Sequence, residues 1–207
     1  LLCLPGVTQE VNRQFVGLFA GCHYRYFDND AEASPYADVS QLPAGSTLRV
    51  SKSRLAKTSY WELQDQPDFA EPEQELAHQY RDLLMDSVSL RLKASRRPIF
   101  TLSGGMDSSS VLASAVRTSG EKQHAVSAVY SDQTYDESDE IRSMLKTNVA
   151  QWNPIVVDSP DVFKLVSQMI ELHDEPVATA TWLSHYRICG EVAGQGFGSM
   201  FGGLGGD

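Results

Sequence analysis

No stretch of this sequence approaches the roughly 18 consecutive apolar residues that a membrane-spanning helix needs, so no membrane partner is expected. The first residues, Leu1-Leu2-Cys3-Leu4-Pro5, carry neither a basic segment nor a long apolar run and do not read as a secretory signal. An initiator methionine is missing too, from which the chain is expected to begin inside a longer gene product. Cysteine is scarce: Cys3, Cys22 and Cys189 are far apart and form no C-x-x-C pair. That argues against a disulfide framework and a zinc site, and fits reduced thiols in a cytoplasmic protein. Basic residues are outnumbered, 17 Lys plus Arg against 27 Asp plus Glu, for a net charge of −10. Nucleic-acid binding draws most of its affinity from basic side chains on phosphates, so nucleic acid is not expected as a partner. The one dense basic spot, Arg91 to Arg97, reads as cations complementing a helix C-terminus. His23, His78, His124 and His185 are scattered without metal spacing, and no catalytic triad can be assembled.

What is present is enough for a core. The 207 residues are 42% apolar and 21% charged, which bounds the chain to one domain, or a domain and part of another. Two regions differ in pattern. In the first, Thr8 is expected to cap a helix carrying Val11, Phe15, Val16 and Phe19 and stopping at Gly21. Gln41 to Gly45 is a turn by composition, Thr47 to Val50 a strand, and Ser59 to Leu63 another strand. Gln64 to Asp68 then reads as a polar, proline-bearing linker.

Beyond it, helix and strand alternate. Leu76, Tyr80, Leu83, Leu84, Val88 and Leu92 share one helical face, and strands are expected at Pro98–Leu102, Ala125–Tyr130 and Ile155–Val157. Between them lie a helix at Asp107–Thr118 and another marked by Ile141, Met144, Leu145 and Trp152. Helices around Val162–Ile170 and Thr181–Ala193 precede a last strand from Phe197 to Phe201. Such alternation implies crossover connections and a parallel, doubly wound α/β sheet buried on both faces.

The most informative segment is Leu102-Ser103-Gly104-Gly105-Met106-Asp107-Ser108-Ser109, where an apolar strand meets a helix start. Two glycines allow the backbone close to a ligand. The hydroxyls of Ser103, Ser108 and Ser109, with the free N–H groups of the helix start, make an anion site. Asp107 fits there only if a cation accompanies the anion, a demand that phosphate with magnesium meets. The plain alternative is a tight turn capped by Ser103 or Asp107. It is no Walker loop, because Gly-Lys-Ser/Thr is missing.

Ser103 to Ser109 resembles the pyrophosphate-binding loop of ATP pyrophosphatases, specifically of the glutamine-hydrolysing asparagine synthetase family. Tyr135-Asp136-Glu137-Ser138, His173-Asp174-Glu175-Pro176 and Gly202-Gly203-Leu204-Gly205-Gly206-Asp207 resemble further segments of that family, in family order. The resemblance implies an adenine nucleotide alpha-hydrolase-like, Rossmann-like fold that takes ATP and Mg2+. It would activate a small-molecule carboxylate, aspartate in the family's main reaction, as an acyl-adenylate, releasing AMP and pyrophosphate. It also implies ammonia from glutamine through a glutaminase domain, and leaves a homo-oligomer open. By the same resemblance, Asp107 and Asp207 are the catalytic and metal-holding carboxylates. Leu102, Ser103, Gly104, Gly105, Asp107, Ser108, Ser109, Ala128, Gly203 and Gly205 bind the nucleotide, Leu102 and Ala128 at the adenine or, equally, as sheet core.

Residues 1–66, with Leu42-Pro43-Ala44-Gly45 and Tyr60-Trp61-Glu62-Leu63, resemble the tail of the N-terminal-nucleophile amidotransferase domain. Residues 67–207 resemble the first part of the synthetase domain, whose next helix lies past Asp207, so the chain is expected not to turn over by itself. Neither Cys3 nor Cys22 matches the N-terminal nucleophile, so no glutamine hydrolysis is expected. Thr134-Tyr135-Asp136-Glu137 is also a capping box, which leaves helix initiation open beside a substrate or metal role. Leu204 stands where the family carries an acid, and leucine cannot transfer a proton. Two rivals therefore stand beside amide formation from aspartate: another amide-forming or cyclising synthetase of the family, or a non-catalytic ATP-binding partner. A tRNA-modifying enzyme sharing the loop is disfavoured by the net charge of −10.

Overall fold

The computed structural model describes residues 1–22, 29–65, 71–130, 138–157 and 161–204. The chain divides into two units, residues 1–69 with 173–178, and residues 70–172 with 179–207.

In the first unit, helix α1 spans Arg13–Gly21. It starts later than Thr8 because Asn12 is its cap: the Asn12 Oδ1 accepts the Phe15 N–H at 3.1 Å. The Thr8 hydroxyl instead donates to Asp38 Oδ2 at 2.6 Å, and Val11 leaves the helix to bridge Tyr36. Strands β1 (Ser46–Val50) and β2 (Leu55–Ser59) form an antiparallel hairpin with Ser46 opposite Ser59 and Val50 opposite Leu55. The second strand thus precedes the expected Ser59–Leu63. The Gly45 carbonyl accepts the N–H groups of both Tyr60 and Trp61, at 2.8 and 3.2 Å, which ends the ladder at Ser59. Lys57 pairs with Glu32 beside the hairpin, both about half exposed, so the pair contributes little.

The second unit begins with α2 (Glu73–Ala94), followed by β3 (Pro98–Thr101), α3 (Met106–Ser119), β4 (Gln123–Val129), α4 (Ser138–Asn148) and β5 (Val149–Val156). Helices α5 (Val162–His173) and α6 (Ala180–Gly194) lead to β6 (Ser199–Phe201). The four strands run parallel in the order β5-β4-β3-β6. Alternation along β3 sends Ile99 to one face and Phe100 to the other, and both are fully buried. Phe100 and Leu102 join Ala125, Val88 of α2, Leu112 and Ala115 of α3, and Ile141 of α4. Ile99 and Val126 meet Ile188 and Val192 of α6, with Phe197. Helices therefore cover both faces, the doubly wound α/β arrangement expected from the alternating pattern.

Two helical faces differ from expectation. On α2 only Leu84, Val88 and Leu92 pack on the core, while Tyr80 and Leu83 are 65% and 71% exposed. Among the described residues the core beneath α2 is met by its second half alone. Trp152 belongs to β5, not to the preceding helix, since it pairs with Ala125 in the β4–β5 ladder. Burial of a side chain such as Phe100 or Leu112 stabilises the unit by about 1.5–3 kcal/mol each.

Candidate functional site

The strand order places one crevice in the second unit. From β3 the chain moves outward to β4 and β5, then returns to lay β6 on the opposite side of β3. Ligands of open parallel sheets bind at the carboxyl ends of strands where the strand order reverses in this way. The loop 103–105 leaves β3 at that end, and residues 202–204 leave β6 beside it. Phe100 and Phe201, opposite one another in the ladder, stack with centroids 4.8 Å apart and hold the two strands in register.

The loop itself is braced internally. Gly104 has φ +75°, in the left-handed region that favours glycine. The Ser103 N–H donates to Ser108 Oγ at 3.2 Å, the two hydroxyls lie 3.1 Å apart, and Ser108 Oγ donates to the Gly105 carbonyl at 3.2 Å. Ser108 is only 5% exposed, so its hydroxyl closes the turn from within, whereas Ser103 is exposed. The first intrahelical bond of α3 runs from the Ser109 N–H to the Gly105 carbonyl. The N–H groups of Gly105, Met106, Asp107 and Ser108 therefore precede the helical ladder and carry the positive end of its dipole. Among the described residues no side chain caps them. Such a helix start is complementary to an anion.

The second loop lies directly on this helix start. A Cβ on Gly203 would sit 2.5 Å from Ser108 N and 2.7 Å from both the carbonyl carbon and Cβ of Asp107. One on Gly202 would come within 2.9 Å of Thr101 Oγ1. Only glycine lets the backbones approach this closely. The donor set fits a phosphate: free backbone N–H groups, an exposed Ser103 hydroxyl and the half-buried Asp107 in the first turn of α3. Magnesium binds through one or two carboxylates plus phosphate oxygens, and Asp107 can supply one of them.

The remaining expected residues divide clearly. Gly104, Gly105, Ser109 and Gly203 lie with Ser103, Asp107 and Ser108 around the crevice. Leu102 is 1% exposed in the core on the α2–α3 side, while Ala128 packs against the α6 side. The two thus pack on opposite faces of the sheet. Gly205 and Asp207 lie outside the described residues, as do Asp136 and Glu137. Among the described residues no cluster of three or more His, Cys, Asp or Glu could hold a metal. No helix of the described residues is long and apolar enough to cross a membrane.

One residue at the site was not singled out from the sequence. Ser127, 2% exposed in the middle of β4, donates its hydroxyl to the Leu102 carbonyl at 2.5 Å and accepts the Trp152 Nε1–H at 2.9 Å. The signal was a lone hydroxyl in the apolar run Ala125 to Val129, since such a group must find partners once buried.

The chain is 27% identical over 177 residues to a Methanocaldococcus jannaschii protein whose name proposes a glutamine-hydrolysing asparagine synthetase. That match covers 84% of this chain, which spans about a third (34%) of the relative's length. Among solved structures, the NMN synthetase of Francisella tularensis superposes with a TM-score of 0.32 at 18% identity, covering 48% of this chain and 41% of that one. The NAD+ synthetase of Burkholderia pseudomallei gives a TM-score of 0.32 at 19% identity, covering 60% of each chain. Residues 79–207, more than half of the sequence, match the family model described as asparagine synthase, and the chain belongs to that family.

Proposed function

We propose that the crevice between the loops after β3 and β6 binds the phosphates of ATP, and that the chain takes part in AMP-forming amide synthesis. The observation that carries this reading is the contact of Gly203 on the first turn of α3, which joins two backbone segments around one set of free N–H groups. In this reading a substrate carboxylate, aspartate by family resemblance, attacks the α-phosphate of ATP. An acyl-adenylate forms and pyrophosphate leaves. Ammonia then displaces AMP and the amide results. The N–H groups at the start of α3 and the Ser103 hydroxyl receive the charge that develops on the leaving pyrophosphate, where fixed dipoles contribute most. Asp107, with Asp207, would hold Mg2+, which neutralises phosphate charge.

Family membership over residues 79–207 supports an ATP-dependent ligase in general. The proposal adds, by resemblance alone, that residues 1–66 belong to a glutamine-hydrolysing domain and residues 67–207 to the synthetase domain. Leu204 is 87% exposed beside the crevice and offers no acid to the amide-forming half. The proton released there goes to another base or to water.

The test is Gly104→Val, which places a branched side chain at φ +75°. Binding of ATP and of inorganic pyrophosphate should fall below detection in calorimetry while far-ultraviolet circular dichroism keeps its native form. Unchanged affinity in a folded variant would refute the assignment.

A further inference from the structure

Where the loop leaves β3, every backbone group of Leu102 is held by β4. Its N–H donates to the Val126 carbonyl at 2.9 Å. Its carbonyl accepts the Ser127 hydroxyl at 2.5 Å, and that hydroxyl is itself fixed by the Trp152 indole at 2.9 Å. The next N–H, on Ser103, enters the ring of hydroxyls that closes the turn. A side-chain chain thus runs from β5 through β4 to the last residue before the candidate anion loop.

We propose that Ser127 and Trp152 are positioning residues that fix the plane of the Leu102–Ser103 peptide and thereby the loop's approach to phosphate. This rests on the reading of that loop as the phosphate site. A strand needs none of this for its own ladder: the β3–β4 pairing is made by backbone groups, and Ser127 lies past its last paired residues, Thr101 and Val126. The hydroxyl acts on the first peptide beyond that ladder. Without it, the Leu102 carbonyl and the Trp152 N–H would both be left buried without a partner, and the peptide would rotate to find one. Trp152 sets the direction of the Ser127 proton: by donating to the oxygen, it leaves the hydroxyl hydrogen for Leu102.

The experiment measures Kd for ATP with magnesium on the full 207-residue chain, by calorimetry at a temperature where each variant is folded. Ser127→Ala should weaken binding at least tenfold, and Trp152→Phe, which keeps the ring but removes the N–H, about threefold or more. Ser127→Thr, which keeps the hydroxyl, should stay within about threefold of the unmodified chain. Val192→Ala, in the core on the α6 side, should lower the melting temperature and leave Kd unchanged. A folded Ser127→Ala chain that binds within twofold of the original overturns the proposal alone. Equal weakening by Val192→Ala also overturns it, because affinity would then follow stability and not the brace. Absence of binding by the unmodified chain refutes the phosphate reading and this proposal with it.

Discussion

Replacing Gly203 by Ala adds one methyl group where the structure has no room for it. The added carbon would stand 2.5 Å from Ser108 N and 2.7 Å from two atoms of Asp107, two of these three atoms being backbone. Ordinary contact needs roughly 3.5–4.0 Å between carbons, so the loop after β6 and the first turn of α3 must part by about 1 Å. Neither neighbour can swing aside as a long side chain would. Overpacking of this kind costs about 1–3 kcal/mol. For a chain of this size each kcal/mol lowers the melting temperature by about 2–4 °C. The control is Gly190→Ala: its Cβ would meet nothing within 4 Å in helix α6, and the change should stabilise by about 0.5–1 kcal/mol. Differential scanning calorimetry on both variants, with and without ATP, checks the sign of each. A Gly203→Ala chain that melts with the original and binds ATP equally would refute the close approach on which the crevice is built.

Two further outcomes concern the first unit. Asn12→Ala should destabilise it by about 1 kcal/mol through loss of the α1 cap, whereas Thr8→Ala should stay within about 0.5 kcal/mol, as chemical denaturation of both would report. Burial, reinforced by the Asp174 carboxylate, holds the Tyr36 phenol above its ordinary value of 10.0. The folded state then keeps a proton the unfolded state releases, so this contribution is full below about pH 10 and is lost as pH rises through the folded value. An ultraviolet titration of the chain against Tyr36→Phe should remove a step above pH 10.0, and loss of a step below that value would refute it.

The legible parts of the sequence were those with one dominant signal. The apolar run before Ser103 could only be a buried strand, and the glycines after it a turn into a helix, because both local chemistry and burial favoured that outcome. The parallel α/β sheet followed from alternation alone. What escaped had competing signals. Leu55 to Ser59 is short and carries a lysine, so its ladder depends on the turn at Ser51 to Arg54, where the Ser51 N–H donates to the Arg54 carbonyl at 2.9 Å, and on neither hydropathy nor alternation. Asn12 and Thr8 are both good caps, and only the pairing of Val11 with Tyr36 decides between them. Trp152 sits at helical spacing from Leu145 yet pairs in β5, a tertiary outcome. Within the candidate site, the residue types around the crevice were readable. The inward turn of the Ser108 hydroxyl and the placing of Leu102 and Ala128 on opposite faces required the sheet register.

The position of β6 beside β3 also has a temporal side. These strands are about a hundred residues apart in sequence, and every other pairing in the sheet joins strands adjacent in the chain. Closing a loop of that length costs about 4 kcal/mol in chain entropy, which a three-residue strand with one stacked aromatic pair recovers only when the rest is already in place. During synthesis the β3–β4–β5 sheet can assemble before β6 has been made. The crevice comes into being only when Phe201 docks. A ligand that touches both loops would then act as a clasp on this long-range pairing, drawing β6 home as it binds.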